Sequence, residues 1–132
     1  MAWVVDTSVL FDIWLANSPF AAASAACLRE YASDGLVLCP VSYVELAPTF
    51  QADQTAMQKF LQEVNVKWTT PWQWDDTEAA SRLWAQHVAN KRTGHAGKRP
   101  LPDVLIEAFA TRFQGLITRN PRHFKTVPVV VP

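Results

Sequence analysis

Several common signals are scarce or missing in this sequence of 132 residues. There are two cysteines, Cys27 and Cys39, and their spacing is not that of metal ligands, which favours reduced thiols in the core of a cytoplasmic protein. The four glycines form no phosphate-binding loop. No apolar run reaches the roughly 18 residues that a bilayer span requires, and the stretch MAWVVDTSVL lacks the basic start and cleavage site of a signal peptide. The sequence therefore predicts a protein of the cytoplasm that does not enter a membrane.

The composition is that of one globular domain, which we expect to span residues 1–132. Apolar residues make up 49% of the chain and charged residues 18%, enough apolar surface for a core. The net charge of zero is unevenly distributed: residues 1–90 carry 4 basic and 10 acidic residues, a balance of −6, whereas residues 91–132 carry 8 and 2, a balance of +6. Either an acidic site lies beside a basic surface, or opposite charges pair across the fold.

Short apolar runs alternate with helical patterns along the chain. The runs predicted to contain strands are WVV at 3–5, LVLC at 36–39, VKWTTPWQW at 66–74, LIT at 116–118 and VPVVV at 127–131. The predicted helices cover about 6–15, 20–33, a segment capped by Ser42, 53–64, a segment that begins with an Asp75–Glu78 capping box and ends near 92, and 102–113. This alternation predicts an α/β fold with a mainly parallel central sheet.

Four polar residues stand where such a fold binds its ligands, in the crevice beyond the carboxyl ends of the strands. Asp6 directly follows the first strand, and Asn120 follows LIT. Glu45 and Asp103 lie in early turns of predicted helices. We therefore expect these side chains to meet in one crevice.

Each acid also has a structural interpretation when it is taken singly. Asp6 could cap the helix that follows it, Glu45 could face water, and Asp103 could cap or stabilise a helix start. If the three carboxylates converge, however, like charges about 4 Å apart cost on the order of 4 kcal/mol at an effective dielectric constant near 20. A divalent cation removes that repulsion, and oxygen ligands without histidine or cysteine favour Mg²⁺ or Mn²⁺. Such an ion can activate water against a phosphodiester.

Four stretches carry a family resemblance: VVDTSVL, VSYVELA, LPDVLIEAFA and LITRNPRHFKTV. In order and spacing they resemble the PIN-domain ribonucleases, most closely the VapC-type toxins of bacterial toxin-antitoxin pairs. The resemblance implies an α/β/α sandwich and a Mg²⁺- or Mn²⁺-dependent endoribonuclease that a cognate antitoxin inhibits. It places the family's metal-binding acids on Asp6, Glu45 and Asp103. We also expect a homodimer, for which the six tryptophans offer apolar surface.

The chain departs from the family pattern at two positions. Asn120 stands in TRN where the family usually has the aspartate of TRD, so this catalytic position brings no charge, and Asn before Pro121 could also be a turn residue. Glu107 stands where the family tends to a small residue. It lies four residues after Asp103, where it could replace the missing charge, although an outward ion pair is the more frequent case.

Several further side chains have candidate supporting roles. Thr7 and Thr118 could orient a carboxylate or could be satisfied hydroxyls at strand ends. The residues that could bind RNA phosphates, or simply be solvated, are Lys98, Arg99, Arg119 and Arg122, with Lys91 and Arg92 near the first two. We interpret His95 and His123 as solvent-facing loop residues.

Two other functions compete with the nuclease. The first is a PIN-fold module that binds RNA or a protein partner without catalysis, because Asn120 weakens the metal site. The second is a phosphoryl-transfer enzyme with Asp6 as its nucleophile, which the sequence supports weakly because no second acid follows two residues later.

Overall fold

The computed structural model describes residues 1–16, 19–94 and 100–132, and within these ranges five strands and six α-helices alternate. The strands are β1 (Trp3–Val5), β2 (Leu36–Val37), β3 (Val66–Lys67), β4 (Gly115–Ile117) and β5 (Val129–Val130). The helices are α1 (Thr7–Trp14), α2 (Phe20–Tyr31), α3 (Pro40–Leu46), α4 (Gln54–Glu63), α5 (Trp74–Arg92) and α6 (Leu101–Ala110). Three short 3₁₀ turns lie at Ala32–Asp34, Ala47–Phe50 and Pro121–His123. No helix in the described ranges is both long and apolar enough to cross a membrane.

The five strands form one sheet in the order β3-β2-β1-β4-β5, and every neighbouring pair is parallel. Trp3 pairs with Leu36 on one side of β1 and with Gly115 on the other. The chain winds outward from β1 in one direction through β3 and then crosses to the other side for β4 and β5. The direction of winding thus reverses between β1 and β4, and a parallel sheet offers its ligand crevice at such a point.

The three inner strands β1, β2 and β4 are apolar and buried because both faces of the sheet are covered there. Trp3 and Val5 of β1 belong to a core cluster with residues of α1, α2, α3 and α4. Val4, which points to the other face, packs in a second cluster with Ile106 and Phe109 of α6. Helix α5 packs mainly on α6. The result is the single α/β domain with helices on both faces that the sequence predicts.

Gly115 allows β4 and β5 to approach closely. A Cβ atom at this position would lie 2.4 Å from the backbone oxygen of Pro128 and 2.6 Å from Cζ3 of Trp3. Leu116 donates its backbone N–H to that same oxygen of Pro128, at 2.9 Å. A residue without a side chain is therefore required where the last strand joins the sheet.

Two of the predicted helix starts are wrong by two or three residues. Helix α3 begins at Pro40 rather than after Ser42, because the fixed φ and missing N–H of proline suit a first helical position. Ser42 is instead buried inside the helix. The capping box of α5 is made by Gln73 and Asp76, not by Asp75 and Glu78.

Candidate active site

Asp6 lies at the end of β1 and is 5% exposed. Its backbone occupies the N-cap position of α1, but its side chain makes no capping hydrogen bond. Oδ2 of the carboxylate instead accepts hydrogen bonds from Oγ1 of Thr118, at 2.7 Å, and from Oγ of Ser8, at 2.9 Å. The capping interpretation therefore does not account for the Asp6 side chain, which is held at the junction of β1 and β4.

The surroundings of Asp6 oppose its ionisation. Burial raises the pKa of the Asp6 carboxyl above its ordinary value. The hydrogen bonds from Thr118 and Ser8 lower the pKa and partly offset the effect of burial. The negative charge of Asp103 raises the pKa further. The last effect requires the two carboxylates to be close enough to repel each other. Asp103 thus lies near enough for its charge to act on Asp6, and a cation bound at these carboxylates would offset both the desolvation of Asp6 and the repulsion.

Glu45 enters the same region from α3 and is half-buried. Its Oε1 atom accepts a hydrogen bond from Oγ1 of Thr7, at 2.8 Å. Thr7 is buried and directly follows Asp6. Each of the two predicted supporting threonines therefore contacts a predicted acid: Thr118 contacts Asp6, and Thr7 contacts Glu45.

Asp103 lies in the first turn of α6, whose N-cap is Pro100. Oδ2 of Asp103 is 2.8 Å from Nδ1 of His123. The side chains of Asp103 and His123 are 20% and 42% exposed, respectively. His123 thus contacts an acid of the crevice, which the interpretation as a purely solvent-facing histidine did not predict.

Asn120 is exposed, and its backbone makes two hydrogen bonds in this region. Its N–H donates to Oγ1 of Thr118, at 3.0 Å, and its carbonyl oxygen accepts from the N–H of His123, also at 3.0 Å. The residue is the N-cap of the 3₁₀ turn Pro121–His123. The prediction that Asn120 is a turn residue is therefore confirmed for its backbone. The turn that it begins brings His123 to Asp103.

Glu107 is buried and does not face solvent, as an outward ion pair at its position would require. The residue is 1% exposed and lies inside α6, one turn after Asp103. The helical spacing places both residues on one side of α6. Its burial could not be read from local sequence, because it depends on how the other elements pack around α6.

The candidate RNA-binding residues fall into three groups. Arg119 is 2.6 Å from Oδ2 of Asp12 through Nη1, and its guanidinium carbon lies 3.2 Å from the centre of the Phe20 ring. Arg122 is exposed in the 3₁₀ turn. Lys98 and Arg99 lie outside the described residues. Arg119 therefore joins the segment after β4 to α1 and α2.

The acids occupy one edge of the sheet but do not form a ready group of ligands. In the described part of the chain, no three His, Cys, Asp or Glu side chains are grouped so that they could hold a metal ion. Asp6 is instead held by hydroxyl groups, Glu45 by Thr7, and Asp103 contacts His123. The donor atoms nevertheless suit a hard divalent cation, because three carboxylates and adjacent hydroxyls offer oxygen and the Asp6–Asp103 repulsion favours a positive charge.

An apolar recess of about 270 Å³ lies between α3 and α6. It is lined by Pro40, Val41, Val44, Trp72 and Leu105. Glu45 directly follows Val44, and Asp103 stands two residues before Leu105. The two helices that carry these acids therefore also form an apolar surface.

The comparisons with known proteins agree with this architecture. No protein-family model and no curated protein matches the sequence. The fold is similar to that of a chain in the crystal structure of VapBC2 from Rickettsia felis bound to a DNA fragment from their promoter, with a TM-score of 0.67. The two chains are 12% identical, and the similarity covers 100% of this chain and 99% of the other. At this identity the comparison establishes the fold: a PIN-like α/β domain with a five-stranded parallel sheet.

Proposed function

We propose that the protein is a metal-dependent endoribonuclease that acts as the toxin of a toxin-antitoxin pair. The observation that carries the proposal is the hydrogen bond between Thr118 and Asp6, which joins the ends of β1 and β4 where the sheet changes winding direction. Asp103 acts on Asp6 electrostatically, and Glu45 is bound to the neighbouring Thr7. A crevice with this concentration of acids is suited to hold a cation against an RNA phosphate.

The side chains would have two different roles in such a site. Asp6, Glu45 and Asp103 would hold Mg²⁺ or Mn²⁺, and Thr7 and Thr118 fix the rotation of the carboxylates they contact. When bound, the ion would activate the attacking water and would stabilise the negative charge on the phosphate. Burial of Asp6 excludes bulk solvent from its carboxylate, which strengthens the attraction between this acid and a cation.

The residues available to bind the substrate are basic. Arg122 is exposed in the turn that also contains His123, so it can reach a phosphate of the RNA backbone. Lys98 and Arg99 precede the helix that carries Asp103, and we assign them the same role. Arg119 is already paired with Asp12, and we propose that it supports the segment after β4 in addition to any contact with RNA.

Cleavage by the purified protein tests the enzymatic proposal. RNA should be cut in the presence of Mn²⁺ or Mg²⁺ to give a 5′-phosphate and a 3′-hydroxyl, and excess EDTA should stop the reaction. Asp6→Asn keeps the shape of the side chain and should lower the rate by about 100-fold or more because it removes a charge from the cation site. Asp34→Asn is the control, since Asp34 is exposed in a 3₁₀ turn away from the crevice residues. Full activity in EDTA would overturn the proposal.

The partner proposal rests on the fold neighbour, which is a toxin-antitoxin complex. We propose that a cognate antitoxin binds the protein and blocks the crevice, and that the protein is a homodimer. Induced expression of the protein in a bacterial host should arrest growth, whereas the Asp6→Asn variant should not. Relief of the arrest by the product of a short adjacent reading frame would identify the antitoxin.

Two observations favour the alternative of a non-catalytic binding module. Asn120 brings no charge, and the described acids form no group of three ready ligands. Isothermal titration with Mn²⁺ separates the two proposals. Binding at millimolar Mn²⁺ that is lost in Asp6→Asn supports the nuclease, and the absence of any binding by the wild-type protein supports the module.

A further inference from the structure

We propose that His123 is a positioning residue that sets the orientation of the Asp103 carboxylate for cation binding. This inference rests on the proposed function and adds to it a residue that the family resemblance does not assign. The contact that carries it is the 2.8 Å distance between Nδ1 of His123 and Oδ2 of Asp103, made between residues 20 positions apart. His123 thereby approaches the acid whose charge acts on Asp6.

A continuous set of hydrogen bonds places the histidine. Thr118 donates to Asp6 and accepts from the backbone N–H of Asn120. The carbonyl oxygen of Asn120 accepts from the backbone N–H of His123, whose ring then contacts Asp103. The segment from 118 to 123 therefore connects the two acids, Asp6 at one end and Asp103 at the other.

The residues on either side of His123 limit its movement. Pro121 begins the 3₁₀ turn with a fixed φ, and Phe124 is 2% exposed in the second core cluster. The rings of His123 and Phe124 are 6.3 Å apart between centroids. Anchoring on both sides keeps the imidazole directed at the acid, which is the requirement for a group that orients a ligand.

The chemistry of the contact defines the tautomer. An ionised carboxylate only accepts hydrogen bonds, so the proton of a neutral His123 must lie on Nδ1, and Nε2 keeps its lone pair. The N–H then restricts rotation of the Asp103 carboxylate. Partners that orient metal ligands in this way typically account for about 10- to 100-fold in metal affinity. A contact with a 42% exposed histidine contributes little to folding, because water competes for the hydrogen-bonding groups.

Because the expected effect on metal affinity is large and the expected effect on folding is small, a positioning role of His123 can be measured separately from a structural role. The experiment compares the affinity for Mn²⁺, by isothermal titration of the full chain at constant pH, with the midpoint of thermal unfolding. His123→Ala should bind Mn²⁺ about 10-fold more weakly or worse and should unfold within a few degrees of the wild-type protein. His123→Asn keeps an N–H near the position of Nδ1 and should retain most of the affinity. His87→Ala, on α5, is the control for removal of an imidazole.

Each outcome bears on a different statement. No Mn²⁺ binding by the wild-type protein would overturn the proposed function. Equal affinity of the wild-type and His123→Ala proteins would overturn this inference and leave the nuclease proposal standing. A large fall in the unfolding midpoint of His123→Ala, or an equal loss of affinity in His123→Asn, would also overturn it. Nitrogen-15 NMR should show the proton on Nδ1, and a proton on Nε2 alone would contradict the assigned contact.

Discussion

Replacement of Thr118 by valine should destabilise the protein through one buried hydrogen bond. The side chain is fully buried, and valine has nearly the same shape, so the substitution removes Oγ1 with little change in packing. Two contacts are lost: the 2.7 Å bond to Asp6 and the 3.0 Å bond from the N–H of Asn120. Asn120 is exposed, so water can replace its lost partner. The cost therefore arises mainly at Asp6.

Hydrogen bonds to charged groups are worth about 1.5 to 3 kcal/mol, so Thr118→Val should lower the free energy of unfolding by about 2 kcal/mol at a pH at which Asp6 is ionised. For a chain of this length, that corresponds to a fall of roughly 6 to 10 °C in the unfolding midpoint. Thr118→Ser, which keeps the hydroxyl group, should lose much less. Urea unfolding followed by circular dichroism measures the free energy of unfolding of the wild-type protein and of both variants.

The loss should depend on pH with a defined sign. The pKa of Asp6 is raised in the folded protein, so its contribution to stability is fully present below the ordinary pKa of 3.8 and is lost as pH rises through the folded value. The bond from Thr118 lowers the pKa of Asp6, and its removal raises that pKa further. The gap between the valine variant and the wild-type protein should therefore widen as pH rises above the ordinary pKa of 3.8 and through the raised folded value. Equal stability at about pH 8, or a gap that does not change with pH, would refute the reasoning.

Three further predictions concern the scaffold. Gly115→Ala should cost about 1 to 3 kcal/mol in thermal unfolding, because its Cβ would lie 2.4 Å from the backbone oxygen of Pro128; an unchanged midpoint would contradict the close approach. Arg112→Met should cost about 3 to 5 kcal/mol in urea, because it leaves the buried carboxylate of Asp76 without the cation 2.7 Å away. Adding Asp76→Asn to that variant should restore part of the loss, and a purely additive result would argue against a coupled pair. Burial raises the pKa of the Cys39 thiol to about 12, so Ellman's reagent should modify it in denaturant but not in the native protein at about pH 8.

The sequence was sufficient to predict the fold, because each element carries a local signal. Every apolar run that was interpreted as a strand contains one, from Trp3–Val5 to Val129–Val130. The errors concern helix starts, where several capping residues stand close together. Pro40 and Ser42 both favour a helix start, and only the packing of the completed α3 selects the first.

The candidate site was only partly predictable. The position of Asp6 and Thr118 at one edge follows from their place after strands, and parallel strands end at the same edge. The contacts of Ser8, His123 and Arg119 were not predicted, because they depend on side-chain directions across as many as 107 positions. The sequence around a histidine or arginine in a loop does not indicate which distant acid its side chain will contact.

The strand order has a consequence for biosynthesis. The first strand made by the ribosome, β1, is central, and one of its edges pairs with β4, whose residues are translated more than 100 positions later. Until then, the nascent chain can pair β1 only with β2, and it lacks Thr118 and His123. The crevice is therefore completed only after translation has passed the last helix, and a truncated chain released early lacks the candidate site.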